Sequence, residues 1–166
     1  MADTAPRPER PDFQPGYGLG SREHDTTSMP WSSVLERLGA SRNYWISSVR
    51  ADGRPHAMPV WGILLDDAVH FSTDAESLKG RNLRARPDCV VHLESGDEVV
   101  IVEGRAGLVT DRDTLQRFVD AYRVKYDITV DIDNPAFTVF AVRPRAVLGW
   151  LEADYPATAT RWRMPQ

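Results

Sequence analysis

Apolar and polar residues alternate over three successive stretches, Asn43 to Arg50, His56 to Leu65 and Ala68 to Thr73. That is the spacing of strands with one face buried. Ala51-Asp52-Gly53-Arg54 separates the first two stretches with an Asp-Gly hairpin signal, and Asp66-Asp67 makes a second tight turn. No helix intervenes, so an antiparallel meander is predicted. Cys89 to Glu94 and Glu98 to Thr110 form another predicted hairpin across Ser95-Gly96-Asp97. Gly104, inside the longer strand, marks a bulge or a barrel corner. Phe137 to Trp150 reads as the last strand, with Pro144 at an edge or a bend.

Helical spacing takes over elsewhere. Trp31, Val34, Leu35 and Leu38 recur as one helical face, with Ser28 as the expected N-cap, Pro30 near the first helical position and Gly39 at the end. Leu115, Phe118, Val119, Tyr122 and Tyr126 make a second stripe, opened by a capping box of Thr110 with Asp113. The acidic loop Asp127 to Asn134 follows it, closed by Pro135. About six strands joined mostly by hairpins, with a few short helices, read as a mainly β, α+β chain forming a closed or half-closed antiparallel barrel. A barrel this small is filled by its own side chains. Any cofactor is therefore expected on the outside, under a second copy of the chain.

Composition narrows the function classes. The chain has 166 residues, 42% hydrophobic and 27% charged, enough for one domain with a real core. Its net charge of -4 argues against a general nucleic-acid binder. The single cysteine, Cys89, excludes an internal disulfide and suits a reducing compartment. No apolar run reaches the length of a membrane span, and the first residues lack the basic and apolar regions of a signal peptide. A cytoplasmic protein with no membrane or nucleic-acid partner is expected. Residues 1–27 are rich in proline and glycine and read as a mobile arm, leaving 28–166 as the folded domain. Phe13, Tyr17 and Leu19 leave open an arm that folds over a partner subunit.

One stretch carries candidate chemistry. Val69 to Thr73 is a strand that turns at Thr73-Asp74 into a short helix bearing Lys79, Arg81, Arg84 and Arg86, stopped by Pro87. A first helical turn with free N–H groups, the Ser77 hydroxyl and the Lys79 ammonium can receive an anion. A solvated basic face is the competing reading.

The span Phe71-Ser72-Thr73-Asp74-Ala75-Glu76-Ser77-Leu78-Lys79-Gly80-Arg81-Asn82-Leu83 resembles the strand–turn–helix motif of the pyridoxamine-phosphate-oxidase-like split β-barrels. Val99 to Arg105 resembles their long strand ending in glycine, and His56-Ala57-Met58-Pro59-Val60-Trp61 falls where they place a flavin-lining strand. The resemblance implies a split antiparallel β-barrel of the FMN-binding type, a homodimer, and FMN or the deazaflavin F420 as cofactor. It assigns Ser72 and Thr73 to the ring or ribityl chain, and Ser77 and Lys79 to the phosphate. His56, Ala57, Met58, Pro59, Val60 and Trp61 would line the ring edge. Arg81, Asn82 and Arg84 lie on the helix whose cations would meet a longer anionic tail. The chain departs from the FMN oxidases at Leu78, where they tend to have arginine, near His56, where they have another basic residue, and near Val99, where they have glutamine. The basic helix is closer to the F420 branch, which needs several cations.

His24, His56, His70 and His92 show no metal-ligand spacing, and no nucleophilic triad can be assembled. Packing is the default role of the five tryptophans; Trp61 is the one expected at a ring or substrate. The reading is an oxidoreductase passing a hydride between reduced F420 or flavin and a small conjugated substrate, with His56 and Tyr155 as candidate acids. The alternatives are an FMN-dependent oxidase and a non-catalytic flavin- or haem-binding protein. Removing residues 1–27 is expected to leave the melting temperature nearly unchanged. A large drop on thermal unfolding would show instead that Phe13, Tyr17 or Leu19 packs on the body.

Overall fold

In the computed structural model, which describes residues 5–12 and 28–165, the chain runs β1 (Pro8–Glu9), α1 (Trp31–Ala40), β2 (Asn43–Val49), β3 (Pro55–Leu65), β4 (Ala68–Asp74), α2 (Leu78–Ala85), β5 (Asp88–His92), β6 (Glu98–Leu108), α3 (Arg112–Tyr126), β7 (Phe137–Leu151) and β8 (Thr160–Arg163). A turn of 3-10 helix, Glu152–Asp154, links the last two strands. All pairings are antiparallel, in the order β1-β8-β7-β4-β3-β2-β5-β6, and β7 also pairs with β6. That second pairing closes β7-β4-β3-β2-β5-β6 into a six-stranded split barrel, with β8 and β1 appended outside the ring.

The hairpins follow their turn residues. Gly53 adopts φ +86° between β2 and β3, and Asp66 and Asp67 hold φ of 49° and 57° between β3 and β4. Two consecutive left-handed residues twist a two-residue turn to match its strands, and aspartate tolerates that geometry. The expected bulge lies between Glu103 and Gly104, with Gly104 opposite Pro144 on β7. Proline has no N–H to give the ladder, so the pairing breaks and bends there.

Alternation splits the apolar side chains into two layers. Tyr44, Ile46, Phe71, Val91, Val102 and Phe140 fill the barrel, whose open side is covered by Val34 and Leu38 of α1 and by Trp162 of β8, only 1% exposed. Outside, the α3 stripe packs Phe118, Val119, Tyr122 and Tyr126 on Ile63 and Val139. Within the described residues, no helix is long and apolar enough to cross a membrane.

Several local expectations need correction. Pro30, not Ser28, is the N-cap of α1 and makes no side-chain cap; the helix runs through Gly39 to Ala40. The preceding chain is tied down instead by Met29 N–H, which donates to Thr160 Oγ1 at 2.9 Å. Asp111 caps α3 by accepting from Thr114 N–H at 2.8 Å, so the box of Thr110 with Asp113 does not form. β7 is not the last strand, because Thr160–Arg163 returns along it. Of the expected arm, Pro8 and Glu9 pair with Trp162 and Arg161, and Glu9 accepts from Arg163 Nε at 2.9 Å. Phe13, Tyr17 and Leu19 lie outside the described residues.

A Cβ on Gly104 would sit 2.5 Å from the Arg143 carbonyl oxygen and 2.9 Å from Val142 Cγ1. The first contact is backbone and cannot rotate away. Gly104→Ala is expected to destabilise the barrel by about 1–3 kcal/mol in denaturant unfolding, the usual range for overpacking. An unchanged midpoint would show that the bulge can widen without strain.

Candidate functional site

The outer faces of β3 and β4 meet the second half of α3 and the start of α2 around a cleft of about 390 Å³. Asn43 pairs with Trp61 across β2 and β3, and alternation turns both outward with Pro59. Ser72 and Thr73 close β4 at one side, Tyr122 descends from α3, and Lys79 enters from α2. The cleft contains no acid among its lining residues.

Its wall is aromatic. Trp61 stacks on Tyr126 with ring centroids 4.8 Å apart and planes 5° from parallel, and meets Tyr122 at 6.3 Å. The stack is held by the Tyr126 hydroxyl, which accepts from Gly62 N–H at 2.9 Å. It shares its proton between the carbonyls of Arg42 at 2.7 Å and Gly62 at 2.8 Å. The Arg42 guanidinium lies 5.2 Å from the Trp61 ring centre and 5.7 Å from that of Tyr126. Behind the wall, Lys125 donates to Tyr44 Oη, Gly39 O and Gly62 O at 3.0, 3.2 and 3.1 Å, and burial lowers its amine to about 8. Burial raises the Tyr122 phenol above its ordinary value, and the neighbouring Ser72 hydroxyl opposes the rise.

The other end is basic. Ser77 caps α2, accepting from Gly80 N–H at 3.1 Å, and its hydroxyl shares a 2.9 Å bond with Thr73 Oγ1. Lys79 makes no hydrogen bond or ion pair with the described residues, and desolvation lowers its amine. His56 is lowered by desolvation first and then by the charges of Arg50 and Lys79. His56 Nδ1 and Arg50 Nε are both buried without a hydrogen-bond partner. Lys79, His56 and Arg50 gather cationic and polar groups at this end, with the Asp52 carboxylate acting on Arg50 from the hairpin turn.

Six of the sequence-predicted residues, Pro59, Val60, Trp61, Ser72, Thr73 and Lys79, line the cleft together. Ala57 and Met58 stand exposed on the first half of β3, and His56 sits there beside the basic end. The α2 residues divide further. Arg81 bonds the Glu76 carbonyl, while Arg84 bonds the Ala75 carbonyl at 3.0 Å and approaches the Glu76 carboxylate at 3.8 Å. Both therefore fold back on their own turn. Asn82 points inward, donating to Ser48 Oγ at 3.1 Å. Asn43, Tyr122, Arg42 and Arg50 were missed as site residues. Tyr122 was legible only as one member of the α3 stripe, and nothing local distinguishes Arg50 from other strand-end arginines.

A small antiparallel barrel with an external cleft, aromatic on one wall and cationic at one end, is a split barrel with a candidate ligand site. The chain belongs to the pyridoxamine 5'-phosphate oxidase family, whose sequence model matches residues 32–151. No curated protein matches the chain. Among solved structures it is similar to the conserved hypothetical protein Rv2991 of Mycobacterium tuberculosis, with 22% identity over 79% of this chain and 90% of that one and a TM-score of 0.66. It is similar to an F420 reductase at 22% identity, over 72% and 96% of the two chains, with a TM-score of 0.56. A haem-binding protein from Mycobacterium smegmatis matches at 20% identity, over 81% and 59%, with a TM-score of 0.62. At these identities the three share the fold.

Tyr126→Phe leaves Gly62 N–H and one carbonyl without their partner. A loss of about 1–3 kcal/mol is expected, the penalty of an unsatisfied buried group, together with a changed fluorescence emission from Trp61. Unchanged stability and emission would mean that the ring stack alone holds this wall.

Proposed function

We propose that the protein is an oxidoreductase that transfers a hydride between reduced F420, or a flavin, and a small conjugated substrate. The observation that carries this reading is Lys79, a half-buried ammonium with no counter-charge at the mouth of a cleft that has no acid. The unpartnered nitrogens of Arg50 and His56 near it favour an anion such as a phosphate, and the Trp61 wall fits a planar ring. The similarity to an F420 reductase supports the choice of the deazaflavin, as does Leu78, which offers no second cation for a compact FMN phosphate. Ser77 is occupied by its cap and by Thr73, so Lys79 would hold the phosphate with Arg50 and His56. Arg81 and Arg84 would have to leave their turn carbonyls to reach an anionic tail.

When bound, the coenzyme supplies the hydride, and the chain binds, orients and excludes water. Ser72 and Thr73 would border the ring. Tyr122 keeps its proton through neutral pH and lines the cleft beside Ser72, so it would be a group able to give a proton to a bound substrate. A second copy of the chain would cover the site. Pro55, Ala57 and Pro59 are exposed along the first half of β3, with Met58 at 43% and neighbouring Val49 at 38%. Aliphatic groups gathered on a strand in this way favour a protein partner. Sedimentation at micromolar concentration should give the mass of a dimer, and a monomer with cofactor bound would overturn the shared site.

Titration with F420, FMN and haem, followed by absorbance, separates the cofactor readings; haem alone binding would replace hydride transfer with haem binding. With the cofactor that binds, Lys79→Ala is expected to weaken affinity about tenfold to a hundredfold, the equivalent of about 1.5–3 kcal/mol for a charge-assisted bond. The unloaded protein should melt as the wild type does, since Lys79 makes no contact that the fold needs. Equal affinity in the two proteins would return α2 to a solvated basic face.

A further inference from the structure

We infer that the cleft selects substrates that carry a carboxylate beside a planar conjugated portion, and that Arg42 is the residue that receives it. The inference rests on the cleft being the substrate site and does not depend on which coenzyme occupies its basic end.

Arg42 differs from the arginines that the fold pairs with carboxylates. Arg37, Arg112, Arg117 and Arg163 each have a carboxylate oxygen at 2.8–3.0 Å. The Arg42 side chain makes no hydrogen bond or ion pair with the described residues, and its guanidinium lies over the rings of Trp61 and Tyr126. A guanidinium stacked on rings keeps its N–H edge free, and that edge matches a carboxylate in two-point geometry. The side chain also starts from a fixed point, because the Arg42 carbonyl accepts from the Tyr126 hydroxyl at 2.7 Å. The same hydroxyl positions the Trp61 wall through Gly62.

The rest of the cleft agrees. Arg42 does not itself line the cleft, but its neighbour Asn43 does, and so does Trp61, whose ring lies 5.2 Å from the Arg42 guanidinium. A planar acid lying on this wall would put its ring against aromatic surface and its carboxylate at Arg42. Its far side would then face the hydroxyls of Ser72 and Tyr122. The cleft lining holds no acid; Glu94 and Glu98 line the adjoining cavity that Arg42 and Asn43 also border, and both are engaged, Glu98 by Arg37 at 3.0 Å and Glu94 by Asn43 Nδ2 at 3.3 Å. Lys79 provides the second cation, on the α2 side of the cleft, which separates an anchor for substrate from an anchor for phosphate.

The test uses nicotinate and nicotinamide, equal in shape and different in charge. Each is titrated into the full-length protein, unloaded and loaded with whichever of F420 and FMN binds, and followed by tryptophan fluorescence and calorimetry. Wild type should bind the acid about tenfold more tightly than the amide, as one exposed charge-assisted contact provides. That preference should shrink with added salt. Arg42→Gln should bring the ratio to about one, and Arg42→Lys should keep part of it by charge without the planar fork. Affinity for the coenzyme should stay at the wild-type value in both variants. Equal binding of acid and amide by wild type, a preference that survives Arg42→Gln, or no binding of either probe overturns the inference. Loss of coenzyme affinity in Arg42→Gln also overturns it, since Arg42 would then belong to the coenzyme site. Failure of every coenzyme to bind while the acid preference persists in the unloaded protein would count against hydride transfer and leave the carboxylate anchor standing.

Discussion

A barrel exists only where one strand can hydrogen-bond to both ends of the sheet, and here that burden falls on β7. Its first half pairs with β4 on one side while most of its length pairs with β6 on the other, and its second half takes up β8 once β4 has ended. A straight strand cannot follow two neighbours that diverge. The break at Gly104 and Pro144 supplies the bend at the point where the partner changes. Closure then sets where everything else can sit. The interior is sealed by side chains, so the space for a ligand lies on the outer face, where α3 covers only part of β3 and β4.

The residues that anchor α3 are also those that build the cleft. Tyr126 ties the helix end to Gly62 and Arg42, and its ring supports Trp61. Gly62 has no room for a side chain, since a Cβ there would lie 2.9 Å from the His70 carbonyl oxygen and 3.1 Å from Tyr44. Lys125, one position earlier, binds the end of α1 to the same β3 carbonyl. Wall, helix and barrel are therefore one connected unit, and its stiffness comes from buried hydrogen bonds that lose their partners if any member moves. Such a wall can hold a ring in a fixed plane.

Charge is distributed with the same economy. The protein is acidic overall, and most of its arginines are spent on carboxylates or on turn carbonyls. Lys79, which lines the cleft, and Arg42, which stacks on its Trp61 wall, are among the cations whose side chains have no hydrogen bond or ion pair with the described residues. The fold needs no contact from Lys79, whereas Arg42 contributes only its stacking on Trp61 and Tyr126. Cations held without partners near apolar surface have their strongest attraction to an anion that brings its own charge into partial desolvation.

How much of this was legible beforehand depended on the range of the forces involved. The meander, the Asp-Gly and Asp-Asp turns, the bulge at Gly104 and the apolar stripe of α3 are set by local alternation and by backbone preferences, which act over a few residues. The strand–turn–helix around Ser72 to Lys79 was legible for the same reason, and Trp61 stood out by type. The caps of α1 and α3 shifted by one or two residues, because several hydroxyls and carboxylates compete there with small differences in energy. The cleft itself was decided by tertiary structure. Only closure of the barrel brings Tyr122, eighty sequence positions past Arg42, against Ser72 and Trp61, and only the fold reveals that Arg81 and Arg84 bind their own turn while Lys79 and Arg42 stay free. Periodicity records which face of a strand is buried; which charged groups are left without a partner is a property of contacts between segments far apart in the chain, and no local pattern encodes it.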